Sequence, residues 1–133
     1  VSSGPETRFY QAINRQFRDG PYCEKMHNVY RGGTPDVWYS GTLDDLWVEY
    51  KWLAKLPQRA SIQISKLLSP LQLLWLDERQ NEGRNVAVIL GTPSGAWIYE
   101  NLAWHGDVTP AEFAAFSKTK QQVADYIRRR TMV

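Results

Sequence analysis

Residues 31–51 read RGGTPDVWYSGTLDDLWVEYK. Two runs rich in Val, Trp, Tyr and Leu, one starting at Asp36 and one spanning Leu46 to Trp52, flank turn chemistry at Ser40-Gly41-Thr42. That is the pattern of a β-hairpin. Side chains alternate along a strand, so Glu49 and Lys51 project together while Tyr50 turns to the other face. Pairing of the two runs brings Asp36 beside Glu49, so that two carboxylates and an ammonium share one patch. A hard cation such as Mg²⁺ is typically held by one or two carboxylates, with water and substrate phosphate completing its shell. It can activate a water and shield charge on a phosphodiester. Lys51 fits the positioning of that water or the neutralising of phosphate charge. Separately, Glu-x-Lys is ordinary on a solvated strand and Pro35-Asp36 is ordinary turn material. Their order across one hairpin, behind Gly32-Gly33, is what points to chemistry.

With Gly33-Thr34-Pro35-Asp36, Glu49-Tyr50-Lys51 and Ser69-Pro70-Leu71-Gln72 in succession, the chain resembles the PD-(D/E)xK nuclease superfamily. Within it the motifs look most like the VRR-NUC branch of phage, bacterial and eukaryotic replication-repair nucleases. The resemblance runs from about Glu6 to Gly91. It implies an α/β (α+β) fold with a restriction-endonuclease-like αβββαβ core, a mixed central sheet flanked by helices, in one domain over residues 1–133. It implies a DNA endonuclease dependent on Mg²⁺ or Mn²⁺. Asp36, Glu49 and the backbone carbonyl of Tyr50 would be metal ligands, and Glu6 on the first helix would reach the metal directly or through water. Lys51 would act on the attacking water, and Gln72 would support it. Small members of the branch are associated with branched DNA such as four-way junctions and act as dimers. A sequence-specific homing or restriction-type endonuclease and a non-catalytic DNA-binding module stay open as alternatives.

The length, 133 residues, suits one buried core, and 43% hydrophobic with 23% charged residues is a globular composition. A net charge of +2 is too mild to establish nucleic-acid binding but allows a basic face. Arg8, Lys25, Arg31, Lys55, Arg59 and Lys66 are the candidate phosphate contacts, and Gly33 suits a loop brushing a DNA backbone. The run Arg128-Arg129-Arg130 suits either phosphate or solvent. His27 is more ordinary as a surface residue than as a base. Cys23 is the only cysteine, which excludes an intrachain disulfide, and it reads as a small packed residue. The six Trp suit core packing, or stacking on bases. There is no signal-peptide pattern and no apolar run of membrane-spanning length. Val1 in place of Met points to a processed or truncated start, and a cytoplasmic setting is the expectation. No aromatic RNP-like signature or arginine-glycine repeat favours RNA.

Elsewhere, Ser3 to Phe17 reads as a helix with Phe9, Ile13 and Phe17 inward, and Ser3 and Glu6 have capping-box spacing. Tyr22 to Tyr30 reads as a short strand or a loop. Leu53 to Lys66 reads as a loop and a third strand near Ile62 and Ile64. Ser69, Pro70 and Gly83 bracket a clear helix, with Leu71, Leu73, Trp75 and Leu76 as its apolar face. There Gln72 sits at the capping-box position, so it serves as cap or as site residue. Asn85 to Leu90 is a doubly covered strand, the turn 92–95 leads to a partner strand, and Thr109-Pro110 opens a final helical region packed through Phe113, Phe116, Val123 and Tyr126.

Overall fold

A computed structural model describes residues 4–26 and 32–133; Ser3, His27 and Arg31 lie outside the described residues. At its centre is β5 (Val86–Thr92), every residue of which is buried. Val86, Val88 and Leu90 face one helical layer, and Ala87 and Ile89 face the other. This double burial is why the strand reads as an unbroken apolar run. β5 lies parallel to β3 (Asp45–Trp52), with Glu49 level with Val88 and Lys51 level with Leu90. β3 pairs antiparallel with β2 (Val37–Ser40), and β2 pairs with β1 (Tyr22–Lys25). β6 (Gly95–Tyr99) runs antiparallel to β5, and the mixed five-stranded order is β1-β2-β3-β5-β6.

The alternation read along β3 sets the two faces. Leu46, Val48 and Tyr50 are fully buried beneath α1 (Pro5–Asn14) and α4 (Lys120–Thr131). The opposite face carries Trp47, Glu49 and Lys51. It is covered by α2 (Pro70–Asn81), α3 (Pro110–Phe116) and a small ladder of β4 (Ile62–Gln63) with β7 (Asp107–Val108). Parallel pairing of β3 with β5 requires a crossover, and α2 supplies it. The indole N–H of buried Trp104 donates to Asp77 Oδ1 at 2.8 Å and ties that helix to the 103–105 turn.

Helix α2 starts where its caps dictate. Ser69 accepts from the Gln72 amide, and Gln72 accepts from the Ser69 amide. Gly83 follows the last turn with φ +80°, a conformation that suits glycine. Thr109 and Glu112 build the same reciprocal box on α3, as their spacing predicts.

Several expectations are corrected. The first helix ends at Asn14, and Gly4 caps it without a side-chain bond, so Glu6 occupies the second helical position and closes no box. Phe17 still packs on the core from beyond the helix, against Tyr39. The segment near Ile62 and Ile64 does not join the central sheet: it forms β4 and then a 3₁₀ turn over Ile64–Leu67. The third strand ahead of α2 is instead β1, which preserves the αβββαβ order. Leu71 is 56% exposed because it sits on the outer side of α2, away from buried Leu76. Phe116, 68% exposed, ends a short helix. The final helical region is two helices, since a bridge between Ala96 and Lys118 interrupts it. Thr119 and Gln122 then form a new capping box. Of the three C-terminal arginines, Arg129 is exposed to solvent, whereas Arg128 and Arg130 are half-buried and bonded within the fold. Arg128 donates to the Gly20 carbonyl, Arg130 donates to Glu100, Tyr126 and Asn85, and Arg129 lies over the Tyr126 ring.

Candidate active site

The site forms where β2 begins and β3 ends. Asp36 immediately precedes β2, and its Oδ2 accepts the Tyr50 amide N–H at 2.9 Å. The Trp47 amide donates to the Asn85 carbonyl, just ahead of β5, and the Leu53 amide to the Gly91 carbonyl within it. Strand alternation therefore turns the amides of 47, 49, 51 and 53 toward β5 and those of Tyr50 toward Asp36. The Tyr50 carbonyl points the same way as its N–H, to the Asp36 side. Below the strand, the Tyr50 hydroxyl is bonded to Tyr39, which donates to Asn14 Oδ1 at 2.8 Å, so the strand is anchored from its apolar face.

Glu49 is 2% exposed, Lys51 18% and Asp36 21%, so the group grades from a buried carboxylate to a half-open rim. Lys51 Nζ lies 3.6 Å from Glu49 Oε2. Gln72 Nε2 donates to that same oxygen at 3.1 Å, while Gln72 Oε1 accepts the Ser69 amide at 2.9 Å. One amide thus closes the cap of α2 with its oxygen and holds Glu49 with its nitrogen. Lys25 Nζ stands 3.4 Å from Asp36 Oδ1. Three of the four carboxylate oxygens in the Asp36–Glu49 pair are therefore engaged, and among the described residues Glu49 Oε1 is buried without a donor.

Burial, first of all, pushes the Glu49 carboxyl up to about 9, and the charge of adjacent Asp36 adds to the rise; Lys51 opposes it. Half-buried Glu6 is raised too, by burial and then by Asp36, against the pull of Lys51 and Lys25. Asp36 is also within side-chain hydrogen-bonding reach of Glu49, which favours a proton on the Glu49 carboxyl, and a buried carboxylate pair that holds a proton in this way also fits a hard divalent metal in its place. Among the described residues no three His, Cys, Asp or Glu side chains are grouped to hold a metal. Asp36 and Glu49 are the close pair, and the charge of Glu6 is the weakest contributor at Glu49. Two carboxylates suffice for Mg²⁺, which rarely occupies an all-protein cage.

The other sequence candidates are placed as follows. Lys25 is engaged with Asp36 and lies over the Tyr10 ring, 5.4 Å from its centroid. Gly33 has φ +91°, and a Cβ there would stand 2.4 Å from the Leu71 carbonyl oxygen; its missing side chain is used by the start of α2. Arg8 lines a hollow with Phe9 and Trp52. Lys55, Arg59 and Lys66 are exposed and do not pair with the site carboxylates. Arg31 and His27 fall outside the described residues. Cys23, half-buried and pushed up to about 11 by burial, has the profile of a packed thiol. Trp38, Trp47 and Trp75 form a row of rings, 6.0 Å and 5.6 Å between neighbouring centroids, so these indoles pack mainly on one another. Sequence reasoning missed the Lys25 and Tyr50 N–H contacts to Asp36, because both depend on strand register.

If Gln72 serves both cap and site, Gln72→Glu separates the roles. Its carboxylate can still accept the Ser69 amide, but it places negative charge against Glu49. The expected result is near-unchanged helix content and a cleavage rate about 10–100-fold lower, the usual cost of losing a contact that orients a metal ligand. Wild-type cleavage by this variant would leave Gln72 as a cap alone.

The chain has a restriction-endonuclease-like fold: a mixed five-stranded sheet between helical layers. It is similar in structure to Hjc, a Holliday junction resolvase from the archaeal hyperthermophile Archaeoglobus fulgidus, with a TM-score of 0.55 and 13% identity over 90% of this chain and 98% of that one. At that identity the likeness is one of fold. No protein-family model and no curated protein sequence matches the chain. No helix among the described residues is long and apolar enough to cross a membrane.

Proposed function

We propose that this protein is a Mg²⁺- or Mn²⁺-dependent DNA endonuclease of the PD-(D/E)xK type, most like the VRR-NUC branch, cutting branched DNA as a homodimer. The observation that carries the proposal is the meeting of Asp36, Glu49 and Lys51 at the end of β3, with one buried Glu49 oxygen left without a donor among the described residues. The fold shared with a Holliday junction resolvase supports it.

Asp36, Glu49 and the Tyr50 carbonyl would hold the cation, and Glu6 would act through water. When bound, the cation polarises a water and shields phosphate charge. The chain's own groups do the rest. The Tyr50 N–H and Lys25 fix the Asp36 carboxylate, so it meets its ligand without reorganising. Gln72 and Lys51 hold Glu49 Oε2 and leave Oε1 without a donor among the described residues. The Lys51 ammonium lies where it can orient the attacking water and offset negative charge as the phosphate is attacked. In-line attack would leave a 5′-phosphate and a 3′-hydroxyl, as the resemblance implies.

Purified protein with Mg²⁺ is expected to cut a four-way junction in two symmetric strands at least about tenfold faster than a linear duplex of the same sequence, a difference of about 1.4 kcal/mol in transition-state binding. Discrete cuts at one site in linear duplex would replace the junction proposal with a sequence-specific enzyme. Metal-dependent binding of DNA without any cleavage would leave a non-catalytic module.

A further inference from the structure

Two hollows adjoin behind the end of β3. One, of about 180 Å³, is lined by Pro5, Arg8, Phe9, Trp52 and Lys120. The other, of about 240 Å³, shares Phe9, Trp52 and Lys120 and adds Lys118 and the 92–96 turn. Through the shared residues they form one groove. Among the described residues no Asp or Glu lines either part. The Trp52 and Phe9 rings, 5.8 Å apart, make an apolar floor. Lys118 and Lys120 are exposed beside it, and neither forms an ion pair among the described residues. Arg8 adds a third positive charge on the α1 side.

A half-buried indole among cations matches one nucleotide of a single strand: its base stacks on the ring and its phosphate meets the ammonium groups. The groove is also in the right place. Lys51 and Trp52 are consecutive residues at the end of β3, on opposite faces of the sheet, with Cα atoms about 3.8 Å apart. On α1, Glu6 lies within electrostatic reach of Asp36 and Lys51, while Pro5, Arg8 and Phe9 line the groove. A strand leaving the site over the end of β3 enters this groove directly.

We infer that the groove bounded by Trp52, Lys118 and Lys120 binds an unpaired nucleotide of the substrate strand next to the cleaved phosphodiester. This rests on the nuclease reading and sharpens it. A base held in a duplex keeps its stacking partners and cannot lie on Trp52, so the substrate has an open or unpaired base beside the cut.

The test uses the full chain with Ca²⁺ and a junction carrying the fluorescent base 2-aminopurine unpaired beside the cleavage point. In wild type, binding should quench the probe; with Trp52→Leu, quenching should be lost and affinity fall about tenfold, the lower range for one base–aromatic stack. The double variant Lys118→Ala/Lys120→Ala, which leaves the core intact, should flatten the slope of log affinity against log salt by about 1.4, two single-strand phosphate contacts. An unquenched probe in wild type, or a salt slope unchanged in the double variant, overturns the inference. If wild type cuts DNA under Mg²⁺ yet either of those results is obtained, the groove assignment alone fails. If wild type neither binds nor cuts any DNA, the nuclease reading fails with it.

Discussion

Asp36→Ala and Lys51→Ala should each slow DNA cleavage in Mg²⁺ by about 10²–10³-fold or more, the scale on which enzymes lose rate when one preorganised charge-stabilising group is removed. The two losses should differ in kind. Asp36 is within side-chain hydrogen-bonding reach of the Glu49 carboxyl and is held by the Tyr50 amide and Lys25. Its removal takes away one of the two close carboxylates, so the rise in melting temperature produced by Mg²⁺ should vanish with activity. Lys51 contacts Glu49 through the oxygen that Gln72 also holds rather than through Oε1. Lys51→Ala should therefore keep its Mg²⁺-induced stabilisation while losing turnover. Stability without metal should change little in either case. The Asp36 variant leaves the Tyr50 N–H without its acceptor but also relieves repulsion on Glu49, and the two effects oppose each other. Melting curves with and without Mg²⁺, beside single-turnover rates, measure both. Retained cleavage in either variant would remove that residue from the mechanism, and loss of the Mg²⁺ shift in Lys51→Ala would move Lys51 into the metal's shell.

What could be read from the chain follows the range over which each signal acts. Alternation in β3, the apolar run of β5 and the caps of α2 are local, and each survives folding because the neighbouring layers reward the same pattern. The meeting of Asp36, Glu49 and Lys51 was legible for a related reason: a hairpin fixes where those three side chains can go, whereas Gln72 was placed beside them by the family resemblance, its own spacing marking it equally as a cap. β1 was not legible. It has four residues at a sheet edge, with Tyr22, Glu24 and Lys25 exposed, so no face carries a periodic apolar signal. Lys25 becomes a partner of Asp36 only through the register that sets it opposite Val37. Arg128 and Arg130 are a similar case, since Gly20, Asn85 and Glu100 are distant in sequence. The break between α3 and α4 was a different failure. Thr119 and Gln122 carry a readable capping signature, but it was masked by taking Phe116 and Val123 as one apolar stripe.

Replacing Glu49 by Gln should abolish cleavage and make the metal-free protein more stable, increasingly so as pH rises. In the folded chain this carboxyl is pushed from an ordinary 4.5 up to about 9, chiefly by burial and then by Asp36. Below pH 4.5 the folded and unfolded chains both carry the proton, and burial of the group has no charge penalty. Between the two values the unfolded chain releases its proton while the folded chain retains it, so stability falls with pH by about 1.4 kcal/mol per unit. Above about 9 both states are ionised and the loss levels off. From pH 5 to 8 the wild type should lose about 4 kcal/mol that Glu49→Gln does not, roughly 15 °C in melting temperature for a chain of this size. The amide is uncharged and nearly isosteric, and it offers Asp36 the donor that the carboxyl offers only while it holds its proton. Mg²⁺ should reverse the wild-type trend, because it binds the ionised carboxylate and stabilises the folded state in proportion to that binding, more at pH 8 than at pH 6. It should do little to the Gln variant. Urea titrations at pH 5, 6, 7 and 8, each with EDTA and with Mg²⁺, separate the two proteins. A wild type whose metal-free stability is flat over that range, or a Gln variant no more stable at pH 8, would mean that Glu49 is already compensated within the protein and that its Oε1 does not await a cation.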